Sequence, residues 1–211
     1  MPVSSLNRFT VPLATNDSNA SQGMLMPKLK YRFRVTVDNF GVAGAPSTEI
    51  TKQVKDVSRP VVQFEEVKVP IYNSTVKLAG KHSWQNATLT LRDDVTNAVS
   101  KLVGQQLQKQ FDFFEQSSAA SGIDYKFTMR VELLDGGNGS YEPTVLEAFE
   151  FLGCFIQNAE YSGGDYTNST DVMEIKLTVV YDNALQYGAG GAPLGIGETV
   201  GRTVRTLALG G

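Results

Sequence analysis

The stretch PVVQFEEVKVPIYNSTVKLAGKHSWQNATLTLRDD, residues 60–94, decides the fold. It divides into three strands in quick succession. Residues 61–69 are a β-branched run ending at Pro70. Residues 73–79 follow and stop at Gly80. Residues 84–92 set Trp84, Asn86, Thr88, Thr90 and Arg92 on one face and Ala87, Leu89 and Leu91 on the other. Alternation of that kind marks a strand with one face on a core and one in water. Asp93 and Asp94 close the third strand and open a helix, because a carboxylate at a helix start accepts from free backbone N–H groups.

The helix is predicted over residues 94–117. Val95, Val99, Leu102, Val103, Leu107, Phe111 and Phe114 recur at helical spacing. Lys101, Gln105, Gln108 and Lys109 form its polar face, and Gly104 is a weak point in its middle. Phe111, Phe113 and Phe114 are read as core packing. After it, residues 118–124 form a small-residue turn. Residues 125–134 alternate cleanly, with Tyr125, Phe127, Met129, Val131 and Leu133 inward. Residues 135–139 make a Gly/Asn turn. Residues 144–156 form an aromatic strand carrying Phe149, Phe151 and Phe155. Residues 161–168 turn again. A last strand, 171–182, sets Met173, Ile175, Leu177 and Val179 against Glu174, Lys176 and Thr178.

Working back from residue 60, residues 48–59 read as a strand that sets Ile50 and Val54 against Thr51, Gln53, Lys55 and Val57. With 61–69 it makes a hairpin with two partly polar faces, suited to a water-filled channel wall with edges paired to another subunit. Residues 39–47 are a Gly/Pro turn. Residues 28–40 form a strand whose Lys30, Arg32 and Arg34 face solvent or acidic neighbours while Tyr31, Phe33, Val35 and Val37 face the core. The expected organisation is an N-terminal arm over 1–27, a β domain over 28–183 holding the helix, and a Gly-rich extension over 184–211. The fold class is mainly β, an antiparallel sandwich or barrel with one packed helix. The extension has too little apolar surface to build a core. It is expected to gain order on a neighbouring subunit through Leu194, Ile196, Val200, Val204, Leu207 and Leu209.

Composition narrows the chemistry. The chain has 211 residues and a net charge of −3, so no basic field holds nucleic acid by phosphate neutralisation. Its one cysteine, Cys154, allows no internal disulfide and reads as a small buried apolar residue. His82 is the only histidine and lies at a turn beside Gly80, with no nucleophile or carboxylate to partner it. One Cys and one His do not make a zinc site. Glu65 and Glu66 are neighbours in a strand and point to opposite faces, so they do not form a catalytic pair. The Asn-x-Ser/Thr triplets at Asn73, Asn86 and Asn168 come without a secretory leader pattern, and no run approaches a membrane span. No phosphate-binding loop, dinucleotide fingerprint or nucleophile elbow is present. The expectation is a protein without catalytic, cofactor-binding or metal-binding residues.

One family resemblance spans residues 27–182. Val69-Pro70 ends a strand, Tyr72-Asn73 turns, and Val76, Ala79 and Gly80 form a V-x-x-A-G pattern. The Trp84 strand then ends in Asp93-Asp94 before an amphipathic helix. Pro27, Leu29 and the run from Tyr31 to Val37 fit a first strand, and DVMEIKLTVVYD at 171–182 fits a last one. This order resembles the tail tube proteins of contractile-tailed bacteriophages. The resemblance implies hexameric rings stacked into a hollow tube, with a continuous inner β-barrel completed by strands from every subunit. It implies a sheath outside, a tape-measure protein inside during assembly, and contacts with baseplate and tail terminator proteins. It implies double-stranded DNA passing transiently and non-specifically through the lumen, a place in the virion tail after synthesis in the host cytoplasm, and no membrane insertion. The same architecture serves the inner tube of a secretion system or an extracellular injection particle. A β-sandwich module for carbohydrate is the reading from another class. It needs aromatics gathered on a groove, and Tyr72, Trp84 and Tyr161 are scattered.

Overall fold

The computed structural model describes residues 27–42, 48–136, 142–167 and 170–199. The N-terminal arm before residue 27, part of the turns at 39–47 and 135–139, Asn168, and the extension from residue 200 lie outside the described residues. Residues 27–32 form a small piece of their own. There the Arg32 N–H donates to the Leu29 carbonyl at 3.2 Å, and the Arg32 guanidinium lies over the Tyr31 ring.

The rest is built on antiparallel strands: β1 (Phe33–Asp38), β2 (Val54–Val57), β3 (Val62–Ile71), β4 (Ser74–Trp84), β5 (Ala87–Arg92), β6 (Phe111–Asp112), β7 (Ser117–Ser118), β8 (Phe127–Leu134), β9 (Val145–Tyr161), β10 (Glu174–Val180) and β11 (Asn183–Gly188). Helices α1 (Thr48–Gln53), α2 (Ala98–Gln110) and α3 (Gly122–Tyr125) are interspersed. The main sheet has the order β1-β8-β9-β10-β5-β2, with β11 added beside β9. β9 is the organising strand. Its first half pairs β8 on one side and β11 on the other, and its second half pairs β10. The change of partner falls at Gly153, whose φ of +68° bends the strand at low cost because glycine has no Cβ. One chain segment thus belongs to two sheets.

The core between them holds much of the set the alternations predict, but Tyr31 and Met173, expected to face inward, lie outside the shortened strands and are 72% and 53% exposed, and Leu133 is only part-buried. Ala87, Leu89 and Leu91 from β5, Phe127, Met129 and Val131 from β8, and Ile175, Leu177 and Val179 from β10 are all buried, with Phe149, Phe151 and Ile156 from β9. Cys154 is a free, buried residue in this core. Burial pushes its thiol pKa up to about 12. α2 covers the core with Val99, Leu102 and Val103. Gln106 on the same helix is fully buried, and both ends of its amide are hydrogen-bonded. Its Oε1 accepts from the Gly41 N–H at 2.9 Å and its Nε2 donates to the Tyr125 carbonyl at 2.6 Å.

Several expectations are corrected. Residues 48–53 are helix α1, and only 54–57 are strand. Ile50 and Val54 are four apart, a spacing that fits a helical face as well as a strand face. The helix sinks Ile50 between β1 and β5. The predicted hairpin of 48–59 with 61–69 does not form: β2 pairs β5, and β3 pairs β4. Pro70 and Gly80 do not end their strands. Pro70 lies within β3, and Gly80 lies in β4 where the pairing slips between Phe64 and Glu66. His82 and Trp84 accordingly belong to β4, not to a turn and a third strand.

The helix predicted over 94–117 is confined to Ala98–Gln110. Asp94 still serves its start: its Oδ1 accepts from the Ala98 N–H at 3.1 Å and from the Thr96 hydroxyl at 2.8 Å. Asn97, at a φ of +56°, sets the chain into a turn first and leaves Val95 in solvent. Phe111 is already extended, so Phe113 and Phe114 leave the helical face and are not core. Tyr125 ends α3 rather than opening β8. The strand predicted to be last is followed by β11, where Ala184 is buried against the β9 side of the core. Beyond it, residues to 199 fold back on their own subunit. The Gln186 N–H donates to the Ile196 carbonyl at 2.8 Å, and the Leu194 N–H donates to the Gln186 carbonyl at 2.9 Å.

Candidate assembly surface

β3 and β4 form a sheet of their own, paired from Val62–Trp84 at the root to Ile71–Ser74 at the tip. Nearly every residue of it is exposed. An isolated two-stranded hairpin is marginal in water, so this one depends on what its faces meet.

Its root is tied to the core by aromatics. Phe64, His82 and Trp84 follow one another at 6.2 and 6.1 Å between ring centroids, and Trp84 continues to Tyr181 at 5.7 Å. Tyr181 in turn meets Phe151 edge to face at 4.8 Å. The Gln85 N–H donates to the Val61 carbonyl at 2.9 Å and closes the root.

Past the slip at Gly80 the two faces separate by chemistry. One carries Glu66, Lys68, Lys77 and Thr75, with the Glu66 carboxylate 2.8 Å from the Lys77 ammonium and 3.7 Å from that of Lys68. The other carries Val67 opposite Leu78, Val69 opposite Val76, and Ile71 at the tip. These five are between 39% and 54% exposed, although strand pairing already shields part of each. Covering what remains contributes about 1 kcal/mol apiece. An aliphatic stripe of this length on a solvated hairpin is the mark of an interaction site.

A second exposed apolar feature follows α2. β6 and β7 enclose a tight turn that holds Phe113 and Phe114 outward, 57% and 94% exposed. The turn is fixed by its own side chains. Asp112 Oδ1 accepts from the N–H groups of Phe114 at 2.9 Å and Glu115 at 3.1 Å, and from Gln108 Nε2 at 2.8 Å. These same bonds lower the Asp112 pKa below the usual carboxylate value. Gln116 Nε2 donates to the Phe113 carbonyl at 2.7 Å, and Phe113 stacks edge to face on Phe111.

The residues weighed for chemistry in the sequence are not brought together. His82 stands exposed on the hairpin root, whereas Cys154 is in the core. Glu66 is paired with lysines. Arg34 is held by the Glu132 carboxylate at 2.6 Å, which also meets Arg130 at 3.0 Å. The outer face of β5 and β10 is polar as read, with Thr88, Thr90, Lys176 and Thr178 in register. In the sequence, residues 61–69 read as pairing with 48–59 through two partly polar faces, so the aliphatic stripe that the β3–β4 pairing assembles goes unseen.

No protein-family model matches the sequence. No curated protein matches it either. Solved structures do match in fold. A chain of the anti-feeding prophage tube-terminating cap superposes with a TM-score of 0.56 at 16% identity, covering 79% of this chain and 95% of that one. A chain of the six-fold symmetrised anti-feeding prophage baseplate gives 0.55 at 14% identity, covering 78% and 98%. A chain from the sheath/tube terminator of an extracellular contractile injection system, in its extended state, gives 0.54 at 17% identity, covering 79% and 100%. The fold of this chain is thus that of tail-tube-type proteins.

Proposed function

We propose that this chain is the building block of a hollow tube inside a contractile tail-like particle. The observation that carries the reading is the β3–β4 hairpin, whose aliphatic face only another molecule can cover. Six copies form a ring, rings stack, and each hairpin lies on a neighbouring copy. The six-fold assembly in which one fold neighbour was solved supports that count. The role is structural, not catalytic.

The polar outer face of β5 and β10 faces the lumen in this reading, in place of the 48–69 hairpin expected from sequence. Thr88, Thr90 and Thr178 with Lys176, and Asn158 and Glu160 on β9, make a wall of mixed sign that lets a polyanion slide. As a phage tail tube the conduit passes double-stranded DNA, is surrounded by a sheath, and meets a tape-measure protein, a baseplate and a terminator. The particle is then a virion tail assembled in the host cytoplasm. The second reading, an extracellular injection particle with other cargo, is supported by the particles to which the fold neighbours belong.

Electron microscopy and sedimentation of the purified protein test the proposal. Rings or tubes with an open lumen are expected. A compact monomer at every concentration overturns it.

A further inference from the structure

We infer that the β3–β4 hairpin is hinged at its root and changes seat on assembly, so that the Trp84 indole N–H and the Tyr181 hydroxyl gain hydrogen-bond partners they lack in the subunit; the inference rests on the tube reading above.

Tyr181 is 5% exposed, and its hydroxyl is buried without a partner among the described residues. The indole nitrogen of Trp84 is buried and unpartnered in the same way. The two rings meet with 5.7 Å between centroids. Folded proteins pair nearly all of their buried donors and acceptors, because a group taken from water with nothing in exchange costs its full desolvation. Two such groups at one junction mark a join that is not at its best in the lone subunit. The backbone of Val61 lies beside the Tyr181 oxygen but short of hydrogen-bond geometry. A small shift of the root closes that gap.

The root is built to allow a shift. β3 and β4 contact each other and very little else. On the body side the chain is pinned at Ser58, whose N–H donates to the Thr88 carbonyl at 3.0 Å and whose hydroxyl accepts from the Thr88 N–H at 2.8 Å. It is pinned again at Asn86, whose side chain donates to that of Gln157. On the hairpin side the Gln85 N–H donates to the Val61 carbonyl at 2.9 Å, and Gln85 Nε2 donates to Gln63 Oε1 at 2.9 Å. Arg59 and Pro60 on one strand and the Gln85–Asn86 link on the other lie between the two sets. The hairpin's own bonds therefore move with it, and the ring contact of Trp84 with Tyr181 is what crosses the hinge.

The load that moves it comes from the other face. Side chains alternate along β3, so Val62, Phe64, Glu66 and Lys68 share the face of the root aromatics, and Val67, Val69 and Ile71 point the opposite way. The aliphatic stripe is turned from the core that holds Tyr181. A neighbour that covers the stripe better in one seat than in the other shifts the hairpin towards that seat.

The test uses the full chain, in which Trp84 is the only tryptophan. Ultraviolet resonance Raman spectra are recorded below and above the concentration at which rings form. The tryptophan band sensitive to the indole N–H is expected to move as that group becomes a donor. Tyr181→Phe removes the hydroxyl and keeps the ring. The variant subunit is expected to melt at or above the temperature of the parent subunit, because it loses a buried group that has no partner. It should need a concentration higher by about threefold or more for half assembly, because it cannot make the bond gained there. A Tyr181→Phe subunit that melts lower shows that the hydroxyl is already bonded in the free subunit, and overturns the inference. So does a variant that assembles like the parent, or a Trp84 band that stays in place while rings form. All three leave the tube reading standing. A parent chain that forms no rings at any concentration overturns that reading, and this one with it.

Discussion

Asp182 occupies the space that a side chain on residue 153 would need. A β-carbon built on Gly153 would stand 2.2 Å from the Asp182 carboxylate oxygen Oδ2 and 2.8 Å from its Cγ. The same carboxylate holds the Lys126 ammonium at 2.5 Å. The bend of β9 and the break between β10 and β11 therefore face each other across one pair of residues.

Gly153→Ala is expected to destabilise the fold by about 1–3 kcal/mol, since it combines a left-handed backbone with that overlap. Gly104→Ala is the counterpart. Nothing lies within 4 Å of a β-carbon there, and the helix gains about 0.5–1 kcal/mol. Urea denaturation measures both. Equal midpoints for the two variants would contradict the account.

Gln106→Leu keeps the volume but strands the Gly41 N–H and the Tyr125 carbonyl. A loss of about 2–4 kcal/mol is expected for two buried groups left unpaired. A melting temperature unchanged from the parent would show that these bonds do not hold α2 in place.

The core was legible because period-two alternation and burial agree in β5, β8 and β10, where each apolar set meets its own protein. The failures have physical causes. Ile50 and Val54 satisfy two periodicities at once. Asn97 in a left-handed conformation and Phe111 in an extended one cut the helical pattern short at its two ends without disturbing its spacing. β11, NALQYG, buries only Ala184 fully and is fixed by Gln186 and by pairing with β9, so it leaves no clear hydrophobic alternation. In β3 and β4 the aliphatic face exists only once Val67 and Val69 stand opposite Leu78 and Val76, a pairing that the expected 48–69 hairpin does not contain, and a sequence does not say whether an apolar face is covered. Phe113 and Phe114 were misplaced for the same reason.

Val67→Lys with Val76→Lys on the hairpin is expected to leave the stability of the isolated subunit within about 0.5 kcal/mol of the parent, since both side chains are about half exposed and have no core contact to lose. Assembly into rings should be lost. Sedimentation velocity reads the second effect and thermal denaturation the first. A large loss of subunit stability would mean that the face packs on its own core.

The thiol of Cys154 has a folded pKa of about 12 against an ordinary 9.0. Above pH 9 the unfolded chain releases this proton while the folded chain keeps it. The contribution of Cys154 is therefore fully present below pH 9 and is lost progressively as pH rises towards 12. A Cys154→Val variant should show a shallower alkaline decline in stability, measured by denaturant titration at several pH values. Matching declines would contradict the assignment.

The bend at Gly153 also has a mechanical side. Two layers that merely pack can slip past each other under shear, because dispersion contacts reform as they slide. Here the layers are continuous through the backbone of a single strand, β9, 17 residues long. A pull on β8 or β11 reaches β10 as tension along covalent bonds, with ladders of hydrogen bonds loaded side by side. In the proposed tube, a wall made of such units would yield by unzipping whole strands rather than by layers sliding past one another.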